Sequence, residues 1–230
     1  MSLLSEKSSR FDGARVTRRP VSWAEEMMRH GVEAFYRSRW PGARIVHELV
    51  MARGSVRADV CAIGRDHLVS GEIKSQYDNT ERLINQAAMF RLASPELWLF
   101  ADERHHRDCK IISYLMPSIG YALCKENDLR LAKLEERLPE WEIVRESAPF
   151  RPDPEALLSL IWVAELTEEA IAARIITAPR SKPWSHSALV KRFIEAASEA
   201  EILAAVCRQL RARDAEWRAD PSIPAEMGKP

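Results

Sequence analysis

IVHELVMARGSVRADVCAIGRDHLVSGEIKS, from Ile45 to Ser75, is the stretch that decides the fold. It reads as three short strands, Ile45 to Met51, Val56 to Ile63 and Leu68 to Ser75. The turn signals Arg53-Gly54-Ser55 and Gly64-Arg65-Asp66 separate them. An even, symmetric turn around Arg65 and Asp66 sets Asp59 opposite Glu72, with Cβ atoms about 5 Å apart. The same construction around Arg53 and Gly54 sets Glu48 opposite Asp59, so three carboxylates form a row across one face. An odd loop would turn Asp59 to the other face and destroy the row.

Such a row is unfavourable unless something binds it. At an effective dielectric near 20, two ionised carboxylates about 5 Å apart repel by roughly 3 kcal/mol, a large share of a domain's stability. Lys74, two residues from Glu72 on the same face, offsets part of this. A hard divalent cation would offset the rest, and Mg²⁺ accepts one or two carboxylates, a carbonyl and several waters.

Asp59, then Glu72-Ile73-Lys74 on the next strand, then Gln86 on a following helix, resembles the PD-(D/E)xK nuclease superfamily. More narrowly, Arg57-Ala58-Asp59-Val60 with Gly71-Glu72-Ile73-Lys74-Ser75 resembles bacterial and phage nuclease-like proteins that carry a helical C-terminal extension. Two positions depart from the pattern: Ala58 stands where the superfamily name has Pro, and Phe90 where the helix of some relatives has Tyr. The resemblance implies a restriction-endonuclease-like α/β core, a mixed sheet flanked by helices, followed by a small all-helical C-terminal domain. It also implies Mg²⁺ or Mn²⁺ held by Asp59, Glu72 and the Ile73 carbonyl, with Glu48 helping a second ion or its water shell. Lys74 and Gln86 complete the catalytic set by orienting water or the phosphate.

Composition bounds the remaining choices. The chain has 230 residues, 46% hydrophobic and 30% charged, with 34 basic and 34 acidic residues, so its formal net charge is zero. That is enough for one good core, or a core and a small second domain, and it excludes a disordered chain. A strong non-specific polyanion binder would be basic overall, so DNA contacts must come from local patches. Cys61, Cys109, Cys124 and Cys207 form no C-x-x-C pair and read as buried thiols of a reducing compartment. With no secretory signal and no apolar run long enough to span a membrane, the cytoplasm is the expected location.

Outside the central stretch, residues 1–21 read as a mobile arm bearing Arg10, Arg15, Arg18 and Arg19, and residues 22–150 as the core. Ser22 and Glu25 cap a helix from Trp23 to Ser38, and Asp78 and Glu81 cap another to about Leu92. Leu97 to Ala101 is a buried strand reached by a parallel crossover. Ile119 to Lys125 and Leu129 to Leu134 read as a hairpin. His105, His106 and Cys109 lack a fourth ligand at sensible spacing for structural zinc. The prolines Pro149, Pro152 and Pro154 open a helical domain over 151–213, with helices from Pro154 to Leu166, from Thr167, from Ser187 to Ala197 and from Glu199 to Arg213; 214–230 reads as a loose tail.

The expected activity is metal-dependent hydrolysis of DNA phosphodiesters. The cations placed to meet DNA are Arg57 beside the motif and Arg180, Lys182, Lys191 and Arg192 in the helical part. The competing reading of that part is plain support, or the interface of a homodimer or protein partner. A non-cleaving nuclease-like module that grips DNA or protein in a mobile-element or defence system is the alternative function.

Overall fold

The structure is a computed structural model and describes residues 22–177, 183–214 and 219–224; the expected N-terminal arm lies outside the described residues. Helix α1 (Trp23–Arg39) starts where the Ser22 hydroxyl accepts the Glu25 amide at 3.1 Å. Acidic residues in its first turn and arginines in its last suit the helix dipole. Ala24, Met28, Val32 and Tyr36 recur at helical spacing and are all buried against the sheet.

Six strands follow in spatial order identical to chain order: β1 (Arg44–Met51), β2 (Val56–Ile63), β3 (Leu68–Lys74), β4 (Glu96–Asp102), β5 (Gly120–Cys124) and β6 (Glu142–Arg145). The β1–β2 and β2–β3 pairs are antiparallel, β3–β4 and β4–β5 parallel, and β5–β6 antiparallel. The mixed sheet expected from the sequence is therefore present. Helices α2 (Leu83–Ala93), α3 (His106–Leu115) and α4 (Glu126–Leu134) make the successive connections from β3 onward.

Two apolar layers sandwich the sheet. Ile45, Val60, Ala62, Val69, Ile73, Trp98 and Phe100 pack with α1 on one face. Cys61, Ile63, Leu68, Leu97 and Leu99 pack on the other with Leu83, Ala87 and Phe90 of α2. The same second layer takes in Leu157 and Leu158 of α5 (Pro154–Leu158), Leu166 of α6 (Val163–Ala172), Phe193 of α7 (His186–Ala196) and Val206 of α8 (Glu199–Ala212). The C-terminal helices thus share one core with the sheet.

Several local expectations are corrected. Leu129 to Leu134 is helical, not the second arm of a hairpin: Leu129 is buried in the α1 layer and Lys133 sits over the Trp23 ring at 4.6 Å. The sheet is completed instead by β6. Asp78 does not start α2, because its carboxylate accepts the Ser75 amide at 2.7 Å and the Ser75 hydroxyl at 2.6 Å, closing a turn after β3. A break at Ser159–Trp162 divides the helix expected to run to Leu166, and Thr167 falls inside α6. In the expected loose tail, Ala219 bridges Val46, and Asp220 accepts the Ile45 amide at 2.9 Å and both terminal nitrogens of Arg37. Arg44 locks this region by donating to the carbonyls of Leu210, Arg211, Arg213 and Asp220.

Gly71 deserves its place for a packing reason. A Cβ there would stand 2.4 Å from the Tyr36 hydroxyl, and Tyr36 is fully buried with its ring edge-on to Trp40 and Phe100. The tyrosine has no room to retreat. Gly71→Ala should therefore destabilise the protein by about 1–3 kcal/mol, read from the midpoint of urea unfolding. An unchanged midpoint would mean that α1 can move off the sheet.

Candidate functional site

The register matches the sequence reading on both sides of β2. His47 pairs with Val60 and Leu49 with Ala58, which brackets Glu48 and Asp59 at an interruption of the ladder; Val60 pairs with Gly71, one step before Asp59 and Glu72. The turn between β2 and β3 is a two-residue loop, with the Gly64 amide on the His67 carbonyl at 2.9 Å. Beyond Val60 the ladder gives way to a side-chain bond, in which the Ile73 amide donates to Asp59 Oδ2 at 2.8 Å.

Glu48 has φ of +59°, an uncommon conformation for a non-glycine residue inside a strand. Its consequence is a change of face: Ile45 packs in the α1 layer, whereas Leu49 and Met51, which strict alternation would put beside it, pack in the opposite layer. Such backbone costs about 1–3 kcal/mol and persists only where surroundings hold it. Here both Glu48 oxygens are held, Oε1 by Arg29 at 3.2 Å and Oε2 by Arg57 Nε at 2.5 Å.

Arg29 is the residue that the sequence reading missed. Projecting from α1 and 4% exposed, it donates to the Asp59 main-chain oxygen at 2.6 Å and to Glu25 Oε1 at 3.0 Å, and lies 3.7 Å from Asp59 Oδ1. Its Nη1 also meets His47 Nδ1 at 3.3 Å, and His47 Nε2 meets Glu33 at 3.2 Å. Because a guanidinium only donates, His47 accepts at Nδ1 and presents its Nε2 hydrogen to Glu33. The Glu25–Arg29 spacing of four was the available signal, but it is indistinguishable from an ordinary surface pair.

Lys74 Nζ bonds Glu72 Oε1 at 2.7 Å, and Gln86 Nε2 donates to the same oxygen at 2.9 Å. Glu72 Oε2 is buried and has no hydrogen-bond partner among the described residues. Burial, and then the charge of Glu72, pushes the Asp59 carboxyl well above the usual carboxylate range; the Ile73 amide, Arg29 and Lys74 pull it back in part. Burial also raises Glu72, against the pull of Lys74 and Gln86. Burial draws the Lys74 ammonium down, but Glu72 more than reverses this and the net shift is upward.

These groups border an open cleft of about 560 Å³, whose walls include Asp59, Glu72, Gln86, Arg57, Arg82 and Asn85. Arg82 and Asn85, at the start of α2, add polar character that no motif announced. Glu48 and Lys74 are not on the cleft wall. Of the other cations expected to meet DNA, Lys191 is exposed on α7 near Glu195, and Arg192 stacks over Trp184 at 4.6 Å. Neither lines the cleft, and Arg180 and Lys182 lie outside the described residues. His105 bonds the Ser75 carbonyl and Cys109 packs in the core. No three His, Cys, Asp or Glu side chains converge as a metal cage among the described residues, and no helix there is long and apolar enough to cross a membrane. The donor set nevertheless suits a hard cation: two carboxylates beside a strand carbonyl, one carrying a buried oxygen with no donor.

Fold and site together define a mixed-sheet α/β protein with a carboxylate–lysine cluster at an open cleft. Residues 24–219 match the family of bacteriophage P4 protein cII, and the chain belongs to that family. Among solved structures it is similar to the SPO1766 protein of unknown function from Silicibacter pomeroyi, at 17% identity and a TM-score of 0.41, over 69% of this chain and 94% of that one. No curated protein matches it.

A carboxyl whose folded pKa lies above its unfolded value stabilises the fold below the unfolded pKa and loses that contribution as pH rises through the folded one. Asp59 therefore weighs against the metal-free fold near neutrality. Without metal, Asp59→Asn should melt above the wild type at pH values where folded Asp59 is ionised, and the gap should narrow as pH falls and Asp59 protonates. A gap that is constant with pH would show that Asp59 is not the strained group.

Proposed function

We propose that this chain is a metal-dependent deoxyribonuclease that hydrolyses phosphodiester bonds in the cleft between the β1–β2 turn and α2. The observation that carries the reading is the convergence of Asp59, Glu72 and Gln86 on that cleft, with Lys74 bonded to Glu72 from behind its wall and Glu72 Oε2 buried and without a partner among the described residues. Asp59, Glu72 and the Ile73 carbonyl would hold Mg²⁺ or Mn²⁺, which when bound lowers the pKa of water and neutralises charge on phosphate.

The protein's own groups have distinct tasks. Glu72 keeps Lys74 protonated, so that Lys74 offers a fixed cation to charge developing on the phosphate. Gln86 braces the Glu72 carboxylate from α2, and the Ile73 amide fixes Asp59 Oδ2 while Arg29 lies 3.7 Å from Oδ1. Arg57 and Arg82 on the cleft wall supply local attraction for a polyanion in a chain whose net charge is zero. Membership in a phage protein family favours a mobile-element setting. It is also what keeps a second reading in view, a module that grips DNA or a protein without cutting.

Two measurements test the proposal. Mn²⁺ at about 100 times its dissociation constant should stabilise the wild type by roughly 2.7 kcal/mol, and Asp59→Asn should remove this gain in a thermal scan. Purified protein with Mn²⁺ should nick or degrade some DNA form among supercoiled, linear, branched and single-stranded substrates. Lys74→Ala should lower that turnover by about 10²-fold or more with metal affinity largely kept. If every DNA form survives while DNA still binds, the non-cleaving module is the correct reading.

A further inference from the structure

The charges around Asp59 and Glu72 do not leave room for two cations. Glu48 Oε1 is taken by Arg29 and Oε2 by Arg57, so neither oxygen is open towards the cleft. The Arg29 guanidinium sits among Glu25, Glu48 and Asp59, where it touches the same acidic row that would attract a second divalent ion. It is not there by chance packing, since it also grips the Asp59 main-chain oxygen and leans on His47, which Glu33 anchors from behind. Its burial is nearly complete, and a buried guanidinium is retained only where several acceptors compensate its desolvation.

Counting charge gives the same answer. Glu25, Glu33, Glu48, Asp59, Glu72 and the neighbouring Asp78 face four fixed cations, Arg29, Arg57, Lys74 and Arg82 of the cleft wall, which leaves two negative charges. One divalent ion neutralises the set; a second would leave it two positive and would have to displace Arg29.

We infer that Arg29 takes the place of a second metal ion. The site then holds one divalent cation, at Asp59 and Glu72, while Glu48 is the counter-charge of Arg29 and Arg57 and not a metal ligand. In this arrangement Arg29 is a positioning residue, which fixes the Asp59 backbone so that its carboxylate serves the cleft. The inference rests on the metal-site reading above, and it revises the expectation that Glu48 helps a second ion.

The test is a titration of MnCl₂ into the full chain, followed by calorimetry and by the electron paramagnetic resonance signal of free Mn²⁺. The wild type should bind one ion, and Glu48→Gln should still bind one with affinity within about threefold, because its role is to pair with arginine. In Arg29→Met the released Glu25, Glu48 and Asp59 carboxylates should recruit a second ion, and combining it with Glu48→Gln should remove that ion again. Two ions in the wild type, a tenfold or greater loss of affinity in Glu48→Gln, or a single ion in a folded Arg29→Met would each overturn the inference. Should Arg29→Met fail to fold, the wild-type stoichiometry and Glu48→Gln decide the matter alone. Absence of any bound ion in the wild type would bring down the metal-site reading itself, a result distinct from finding two.

Discussion

Like charges gathered at one end of an antiparallel meander repel one another, and the structure is arranged around the cations that answer them. The β1–β2–β3 meander brings Glu48 and Asp59 to one guanidinium, that of Arg29, and sets Asp59 beside Glu72. Exposed carboxylates would be screened by water and salt at little cost, but these are largely withdrawn from solvent, where repulsion is several times larger. Arg29 from α1 answers the Glu48 and Asp59 side, and Lys74 from β3 answers Glu72. Helix α1 is therefore more than a cover for the sheet. Its capped start and its apolar stripe fix the height at which the guanidinium enters the acidic row.

The same demand shapes the backbone. Turning Glu48 towards two arginines requires a positive φ in the middle of β1, and this reverses which residues of the strand face each layer. On β3, Gly71 lets Tyr36 lie close to the sheet, which keeps α1, and hence Arg29, near the strands. Strain and close packing are thus spent on holding charged groups still, a pattern typical of functional sites.

Much of this was legible in the sequence, for identifiable reasons. Strand pairing depends on turn length, and the two-residue turn at Arg65-Asp66 sets the β2–β3 register that brings Asp59 beside Glu72. Gln86 could be placed because α2 follows β3 directly. Arg29 could not be, because a contact between residues thirty positions apart depends on how α1 crosses the sheet, and nothing local encodes that. Leu129 to Leu134 was misread because a short apolar pattern fits either period, and only packing against α1 decides for the helix. Asp78 was misread because an acidic residue can close a turn as readily as cap a helix, and here Ser75 supplied the closer donors.

The C-terminal helices bear on the cleft through its opposite wall. The β1–β2 turn carries three successive residues with positive φ, Ala52, Arg53 and Gly54, and contributes Gly54 and Ser55 to the cleft lining. A left-handed turn of that kind does not hold itself in place, since for Ala and Arg the conformation is unfavourable. The restraint from outside is packing, since Ala52 is buried, while Arg53 meets Glu155 of α5 in an exposed ion pair that adds little. Helix α5 in turn belongs to the apolar layer that includes α2, the other wall. Both walls of the cleft therefore rest on one packed layer, to which the C-terminal helices contribute. In the described residues the C-terminal helices thus pack behind both walls of the cleft, and this packing holds whether or not their surface cations touch nucleic acid.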